Sequence, residues 1–436
     1  MPQTHNILPW EFFNFEFVRV LAMAPTHGAE VGECLEAASK IKKNDPESWY
    51  QAWAEAAGFA EEAADTALKV GDREAARGAF LRACNYRRAK RSLHSMLHVN
   101  PYDTRLLGIM EKSVSNFRSA CALMDNAVET FEIPYENTKL PGYMYLPVQK
   151  SGGGGGQQPR GEKVPLLLAL NGFDSTQEEL YFFIASGSAS RGYAIMTFDG
   201  PGQGIVLRRP GQPPIRRDWE VVVSSVLDYL WKLVDEHPEW NIDLDRVAIM
   251  GMAMGAYFSL RGATDPRIKA CISCDGFYDF GPQVRLRSPF FLKYLSDGQA
   301  DAVLEWASGF NMQHKLEFGH LRMVFGTESC IDALRKLGSI SLETPGEEPI
   351  CARIKCPVMV TGARDSIYAL ETQLTYQKLA EYRGSEKGLT LWDPVGPGQG
   401  SLQAKVGAVS QFQTKVFSWL DDVFGIQRLP IEDRPI

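Results

Sequence analysis

Apolar positions in the first part of the chain recur at helical spacing. Trp49, Trp53, Ala56 and Ala57 fall on one face, as do Ala76, Phe80 and Ala83. The segment FLRACNYRRAKRSLHSM reads as one long helix with an aromatic stripe. Such a stripe either packs on a neighbouring helix or forms a wall over an active site. From Ala127 to Val148 the period changes to two, and VETFEIPYENTKLPGYMYLP predicts a pair of strands joined as a hairpin. The stretch KSGGGGGQQPRGEK that follows has the composition of a flexible surface loop.

An α/β rhythm then begins. VPLLLALNGF, YAIMTFDGPGQG, DRVAIM, IKACISCDG, CPVMVTGARD and LTLWDP each carry a near-continuous apolar run. Helical patterns separate several of these, among them DWEVVVSSVLDYLWKLVDEH and the closing VGAVSQFQTKVFSWLDDVF. Apolar strands alternating with helices predict a parallel sheet covered on both faces. The rhythm breaks into helical pieces after Phe280. The expected organisation is therefore a helical N-terminal region (1–125), an α/β core (126–280 and 347–436) and a helical lid insertion (281–346).

Charge and composition narrow the partners. The net charge of −7, from 46 basic and 53 acidic residues, argues against a nucleic-acid partner. The local cluster Arg87, Arg88, Lys90 and Arg91 reads as a solvated helix face. No apolar run approaches the roughly 18 residues a membrane span requires, and the N-terminus lacks the pattern of a secretory signal. Eight cysteines in a chain of this length make no disulfide framework. Cys271 and Cys274 form a CxxC, but within a buried strand whose faces alternate, with no second pair or nearby histidine. A reduced, cytoplasmic protein without metal or cofactor is expected.

The best-localised motif is Gly251-Met252-Ala253-Met254-Gly255, between an apolar strand and a helix rich in small residues. That is the setting of a nucleophile elbow, G-x-S-x-G, whose glycines permit the sharp turn and close helix–strand approach. Alanine occupies the nucleophile position. Asp365, after the strand CPVMVT, stands at the acid position of such a fold. The seven histidines are His5, His27, His94, His98, His237, His314 and His320, and none follows the last strand, where the base belongs. A single inactivating Ser→Ala change would leave that histidine in place, so the paired loss reads as the natural state. The oxyanion hole survives such a loss because it is built from backbone N–H groups: Met254, after the elbow, and Phe173, in the loop Asn171-Gly172-Phe173-Asp174.

These segments resemble the fungal α/β hydrolases of polyketide pathways, typified by the yellowish-green pigment enzymes. More distant relatives are the fermentation–respiration switch protein and the pseudooxynicotine hydrolase. The resemblance rests on RACNYRRA, NGFDSTQEELYF, DGPGQG, the elbow, GARD and QAKVGAVSQFQTKVFSWLDD. It implies an α/β-hydrolase fold, dimerisation through the N-terminal region, and a triad falling on Ala253, Asp365 and Ser401. Two of those three positions are degenerate. Family members in cytochalasan-type clusters are implicated in ring closure of an aminoaldehyde, chemistry without hydrolysis. The leading expectation is thus a cyclase that binds a hydrophobic polyketide or polyketide–amino-acid substrate. Phe173, Met254 and Gly172 would bind it, and Asp365, Asp174, Tyr278 and Asp279 are the acid–base candidates. Asp365 has the alternative role of capping a helix, and Asp174 that of an Asx turn. Two other readings stand beside this one. A hydrolase could use a displaced nucleophile (Ser259, Cys274 or Ser401) with His314 or His320 swinging in from the lid. A catalytically dead scaffold would have no cavity at Ala253.

Overall fold

The computed structural model describes residues 7–43, 45–92, 103–148, 163–310 and 312–428. The glycine-rich loop, His5, His94, His98 and the side chains of Lys90 and Arg91 lie outside the described residues. The N-terminal region folds as helices α1 (Glu11–Leu21), α2 (Val31–Lys40), α3 (Pro46–Val70), α4 (Arg73–Ser92) and α5 (Arg105–Cys121). Local chemistry sets the ends of α3. The Asp45 carboxylate accepts from the Ser48 N–H at 3.1 Å, Pro46 takes the first helical position, and Gly71 closes the helix at φ +78°. The aromatic stripe of α4 is core packing: the Tyr86 ring lies 5.4 Å from Trp53, and Trp49 Nε1 donates to the Ala89 carbonyl at 3.1 Å.

The strands are β1 (Val128–Tyr135), β2 (Thr138–Tyr145), β3 (Val164–Leu170), β4 (Ala194–Phe198), β5 (Ile242–Met252), β6 (Ala270–Cys274), β7 (Val358–Thr361) and β8 (Leu389–Trp392). They form one sheet in the order β1-β2-β4-β3-β5-β6-β7-β8. The hairpin β1–β2 is antiparallel and joins β4 antiparallel, while β4, β3, β5, β6, β7 and β8 run parallel. Burial explains the positions. Every residue of β3 is buried, as its unbroken apolar run requires, whereas β1 is partly exposed and keeps Pro134 at the sheet edge.

Helices α6 (Gln177–Phe183), α7 (Trp219–Glu236) and α8 (Met254–Gly262) follow β3, β4 and β5 in turn. After β6 come the insertion helices α9 (Gly281–Arg287), α10 (Asp297–Ser308), α11 (Met312–Val324) and α12 (Cys330–Gly338), then α13 (Ile350–Arg353). The chain closes with α14 (Ala369–Arg383) and α15 (Val409–Phe424) around β8. Leu166, Leu168 and Leu170 point into the core under α7 and α8, and Leu167 and Ala169 into the one under α15 and α5. Cys271 and Cys274 divide in the same way between the two faces, so the CxxC thiols cannot share a metal. No helix among the described residues is long and apolar enough to cross a membrane.

Arg87 and Arg88 of α4 do not form a solvated face. Arg87 is paired with Glu61 at 2.7 Å, and Arg88 is buried with Nη1 2.9 Å from Glu179 Oε1. Arg19 of α1 grips the same carboxylate through two bonds of 2.7 Å, from Nε and Nη2. Burial favours neutralisation of Glu179, but the two guanidiniums outweigh it and hold the carboxyl below its ordinary range. Arg19 and Arg88 therefore clamp α1 and α4 onto α6 through Glu179. A carboxyl held low stabilises the fold above its unfolded pKa of about 4.3, and that contribution disappears as the pH falls through the folded value. Glu179→Ala should cost about 3–5 kcal/mol in urea unfolding at pH 7, because two buried guanidiniums lose the carboxylate they share. It should also flatten the loss of stability on acidification below about pH 4. An unchanged unfolding midpoint would rule the clamp out.

Candidate active site

The elbow is preserved in backbone detail. Between β5 and α8, Ala253 sits at φ 53°, ψ −115°, a conformation that L side chains rarely adopt and that costs of order 1–3 kcal/mol. Its N–H donates to the Cys274 carbonyl at 2.9 Å, and its carbonyl accepts from Ala256 at 3.0 Å. The flanking glycines are sterically required. A Cβ on Gly251 would lie 1.8 Å from the Gly255 carbonyl oxygen, and one on Gly255 would lie 2.8 Å from the carbonyl oxygens of Leu170 and Asn171.

The loop after β3 lies against this turn. A Cβ on Gly172 would stand 3.2 Å from the Met252 carbonyl oxygen and 3.9 Å from the Met254 nitrogen. Successive carbonyls of the loop are pinned from behind. Gln203 Nε2 donates to the carbonyls of Asn171 and Gly172, at 2.9 Å each, and His320 Nε2 lies 3.2 Å from the Phe173 carbonyl. Because a trans peptide points its N–H opposite its C=O, holding the Gly172 carbonyl aims the Phe173 N–H away from Gln203. Neither that N–H nor the one on Met254 has a hydrogen-bond partner among the described residues. The DGPGQG turn supplies the brace. Buried Asp199 accepts from Asn171 Nδ2 at 2.7 Å, from the Gln177 N–H at 2.9 Å and from the Ile205 N–H at 3.0 Å.

A cavity of about 70 Å³ opens at this junction. It lies where the connections from β3 and β5 diverge, the switch point at which open α/β sheets bind ligands. Its walls include Gly172, Asp174, Met252, Ala253 and Gln403, with Phe15 and Arg19 contributed by α1. The N-terminal region thus supplies a wall through α1 rather than through the stripe of α4. The helical insertion touches this loop where the His320 ring meets the Phe173 ring edge-on at 4.6 Å.

The other sequence-derived candidates divide into groups. Ser401 donates to Asp365 Oδ2 at 2.6 Å, while the Asp365 N–H donates to the Ser401 carbonyl at 3.0 Å. The two residues that the family resemblance expects at the acid and base positions are therefore adjacent. Asp174 lines the cavity and meets Arg19 Nη1 at 3.3 Å. Tyr278 is away from the cavity lining: its hydroxyl donates to Glu343 Oε1 at 2.5 Å, and burial pushes its pKa up. Asp279 accepts from the Gly281 N–H at 2.9 Å. Ser259 donates to the Ala256 carbonyl at 2.9 Å, and burial pushes the Cys274 thiol up to about 12.

Sequence reasoning missed a second buried pair. Lys405 Nζ lies 2.8 Å from Asp275 Oδ1 and also donates to the Gly362 carbonyl, with both side chains fully buried. Burial pushes the Asp275 carboxyl up against the opposing pull of Lys405 and the Ala404 N–H. Ala404 and Lys405 both take positive φ, at 55° and 58°, as does Asp275 at 53°. This clasp shapes the loop that carries Ser401 and Gln403.

No family model matches the chain. The 20-hydroxy-prefusarin hydrolase of Gibberella moniliformis is 45% identical over 97% of this chain and 99% of its own length. The α/β hydrolase psoB of Aspergillus fumigatus is 44% identical over 99% of this chain and 97% of its own. The chain belongs to the α/β hydrolases of fungal secondary-metabolite clusters. A further member, the hydrolyase ccsE of Aspergillus clavatus, is 39% identical over 96% of this chain and 97% of its own. The crystal structure of 2,6-dihydroxy-pseudo-oxynicotine hydrolase superposes with a TM-score of 0.68 over 93% of this chain and 95% of that one, at 22% identity, and carries the same fold.

Within this family fold, the Asp365–Ser401 contact allows a direct test. An imidazole introduced at position 401 should be oriented by Asp365 toward the elbow. Ala253→Ser combined with Ser401→His should show esterase activity on p-nitrophenyl butyrate about 10²-fold above background, with neither single variant active. A folded double variant without activity would show that position 401 is not the base position.

Proposed function

We propose that this chain is a non-hydrolytic enzyme of fungal secondary metabolism. It holds a hydrophobic polyketide or polyketide–amino-acid intermediate at the elbow and promotes an intramolecular ring closure of aldol or Knoevenagel type. The observation that carries this reading is the elbow itself. The strained turn persists around an alanine that lines a cavity, and the N–H groups of Phe173 and Met254 beside it have no hydrogen-bond partner among the described residues. A scaffold without a ligand has no use for such a cavity. The displaced nucleophiles that a hydrolase would need are engaged elsewhere: Ser259 with a helix carbonyl, Ser401 with Asp365, and Cys274 in the core as a thiol. The relative named for 20-hydroxy-prefusarin supports a small secondary metabolite as substrate.

In this mechanism a base removes a proton from an activated methylene. The Phe173 and Met254 amides hold the resulting enolate oxygen, and the enolate carbon attacks an aldehyde carbon of the same molecule. The new alkoxide takes up the proton, and water leaves if the product dehydrates. Confinement of the two ends contributes a large share of such a barrier, and oriented donors add a few kcal/mol, about 3. Asp174 is assigned the proton transfer because it is the carboxylate lining the cavity, whereas Asp365 is held by Ser401.

Deletion of the gene in its host should cause an uncyclised aldehyde to accumulate, as read by metabolite profiling; an unchanged profile would end the cyclase reading. Fed to the purified protein, that aldehyde should cyclise. Asp174→Asn should slow the reaction about 10²-fold and Asp365→Asn only a few-fold. The reverse ranking would move the base to Asp365. Turnover of a panel of activated esters and thioesters by the unaltered protein would favour the hydrolase reading instead.

A further inference from the structure

The insertion between β6 and β7 presents large apolar side chains to solvent at its start. Two residues anchor this stretch. Val284 of α9 packs on the main core, and Leu292 is buried with Ala300, Leu304 and Cys330. Around these anchors the other apolar side chains point outward. Leu286 is 82% exposed, Phe290 78% and Tyr294 74%, and the Phe291 ring is exposed 6.0 Å from that of Phe290. The backbone holds them there: the Ser288 N–H donates to the Val284 carbonyl at 2.9 Å, and the Leu292 N–H to the Pro289 carbonyl at 3.0 Å. Single exposed apolar residues are ordinary, but four between positions 286 and 294 mark a contact surface. Arg285, Arg287 and Lys293 are interspersed with them, and no acidic residue lies between Gly281 and Ser296. All three cations are exposed, and none makes an ion pair among the described residues. The next carboxylate along the chain, Asp297, is engaged by Arg335 at 2.6 Å. The Lys293 ammonium lies 4.9 Å from the centre of the Tyr294 ring, so charge and aromatic surface are presented together. A basic, apolar segment thus stands out from a chain of net charge −7.

We propose that this face docks on an anionic bilayer surface. Phe290, Phe291, Tyr294 and Leu286 enter the boundary between headgroups and acyl chains, while Arg285, Arg287 and Lys293 meet the lipid phosphates and carboxylates. Charge complementarity selects this occupant. A second copy paired about a two-fold axis would set the three cations against their own equivalents. Side chains about three-quarters exposed project from the surface rather than line a groove, which suits a soft boundary better than the close fit of a folded partner. Attachment of this kind needs no spanning helix. The inference concerns where the protein sits and is independent of the ring-closure reading.

Sedimentation of the full-length protein with two kinds of vesicle provides the test: phosphatidylcholine alone, and phosphatidylcholine with about a third phosphatidylserine. The anionic vesicles should bind at least about 10-fold tighter, and about 0.5 M salt should remove most of the difference, because exposed charges are then screened within a few ångströms. Phe290→Ser combined with Tyr294→Ser should weaken binding to the anionic vesicles about 10-fold. Arg285→Glu combined with Lys293→Glu should abolish the preference for phosphatidylserine. Both variants should keep the thermal unfolding midpoint, since the altered side chains are exposed. No sedimentation with either vesicle, or equal sedimentation with both, would overturn the proposal. A serine variant that binds as tightly as the unaltered protein would also overturn it, by placing the contact elsewhere. So would a dimer that dissociates in the serine variant without any vesicle binding, which would give this face to a second copy. The comparison of the two vesicles with the unaltered protein decides even if a variant fails to fold.

Discussion

There is no room for a Cβ between Gly251 and the Gly255 carbonyl, and this steric limit organises the site. It lets α8 start immediately where β5 ends and drives Ala253 into a backbone conformation that costs free energy. It also brings the β3 loop within contact of the turn, with Gly172 near the Met254 nitrogen. The N–H groups left without partners are consequences of that packing. They belong to the backbone and are indifferent to whether position 253 carries a hydroxyl. A serine hydrolase can therefore lose its nucleophile and keep its anion-stabilising geometry intact.

Two buried charge clusters hold this geometry from opposite sides. Glu179 receives Arg19 from α1 and Arg88 from α4, so the N-terminal helices are fastened to the helix that follows the oxyanion loop. Because Arg19 also lines the cavity, the fastening and the site share a side chain. On the other side, Asp275 and Lys405 hold the loop after β8 in left-handed conformations that neither alanine nor lysine favours. Buried pairs of this kind add little net stability compared with apolar packing, but removing one partner is costly. Their contribution here is geometric: they set where a loop runs.

The Asp365 carboxylate is satisfied within the chain. Ser401 is close enough to Asp365 for a short hydrogen bond and is itself shut off from solvent. The carboxylate keeps a partner without an imidazole, and the loop does not collapse. Beside it, Ala253 lines the cavity with a side chain of one carbon.

Much of this was legible in the order of residues. The unbroken apolar strands, the hairpin, the elbow glycines and the place of Asp365 all follow from local pattern or from a fixed sequence of strands and loops, whereas Ser401 came from the family resemblance. The absence of a late histidine follows from counting. What could not be read were the pairs made across the chain: Arg19 with Glu179, separated by 160 residues, and Lys405 with Asp275, separated by 130. A charged residue in a helix or loop looks solvated until the fold buries it, which is why the arginines of α4 read as a surface face. Whether a polar atom has a partner depends on what tertiary packing places beside it, and periodicity carries no record of that. The sequence alone determined the fold, because unbroken apolar strands and their order are local patterns; only the tertiary structure decided which polar groups are buried together, because packing brings distant residues side by side.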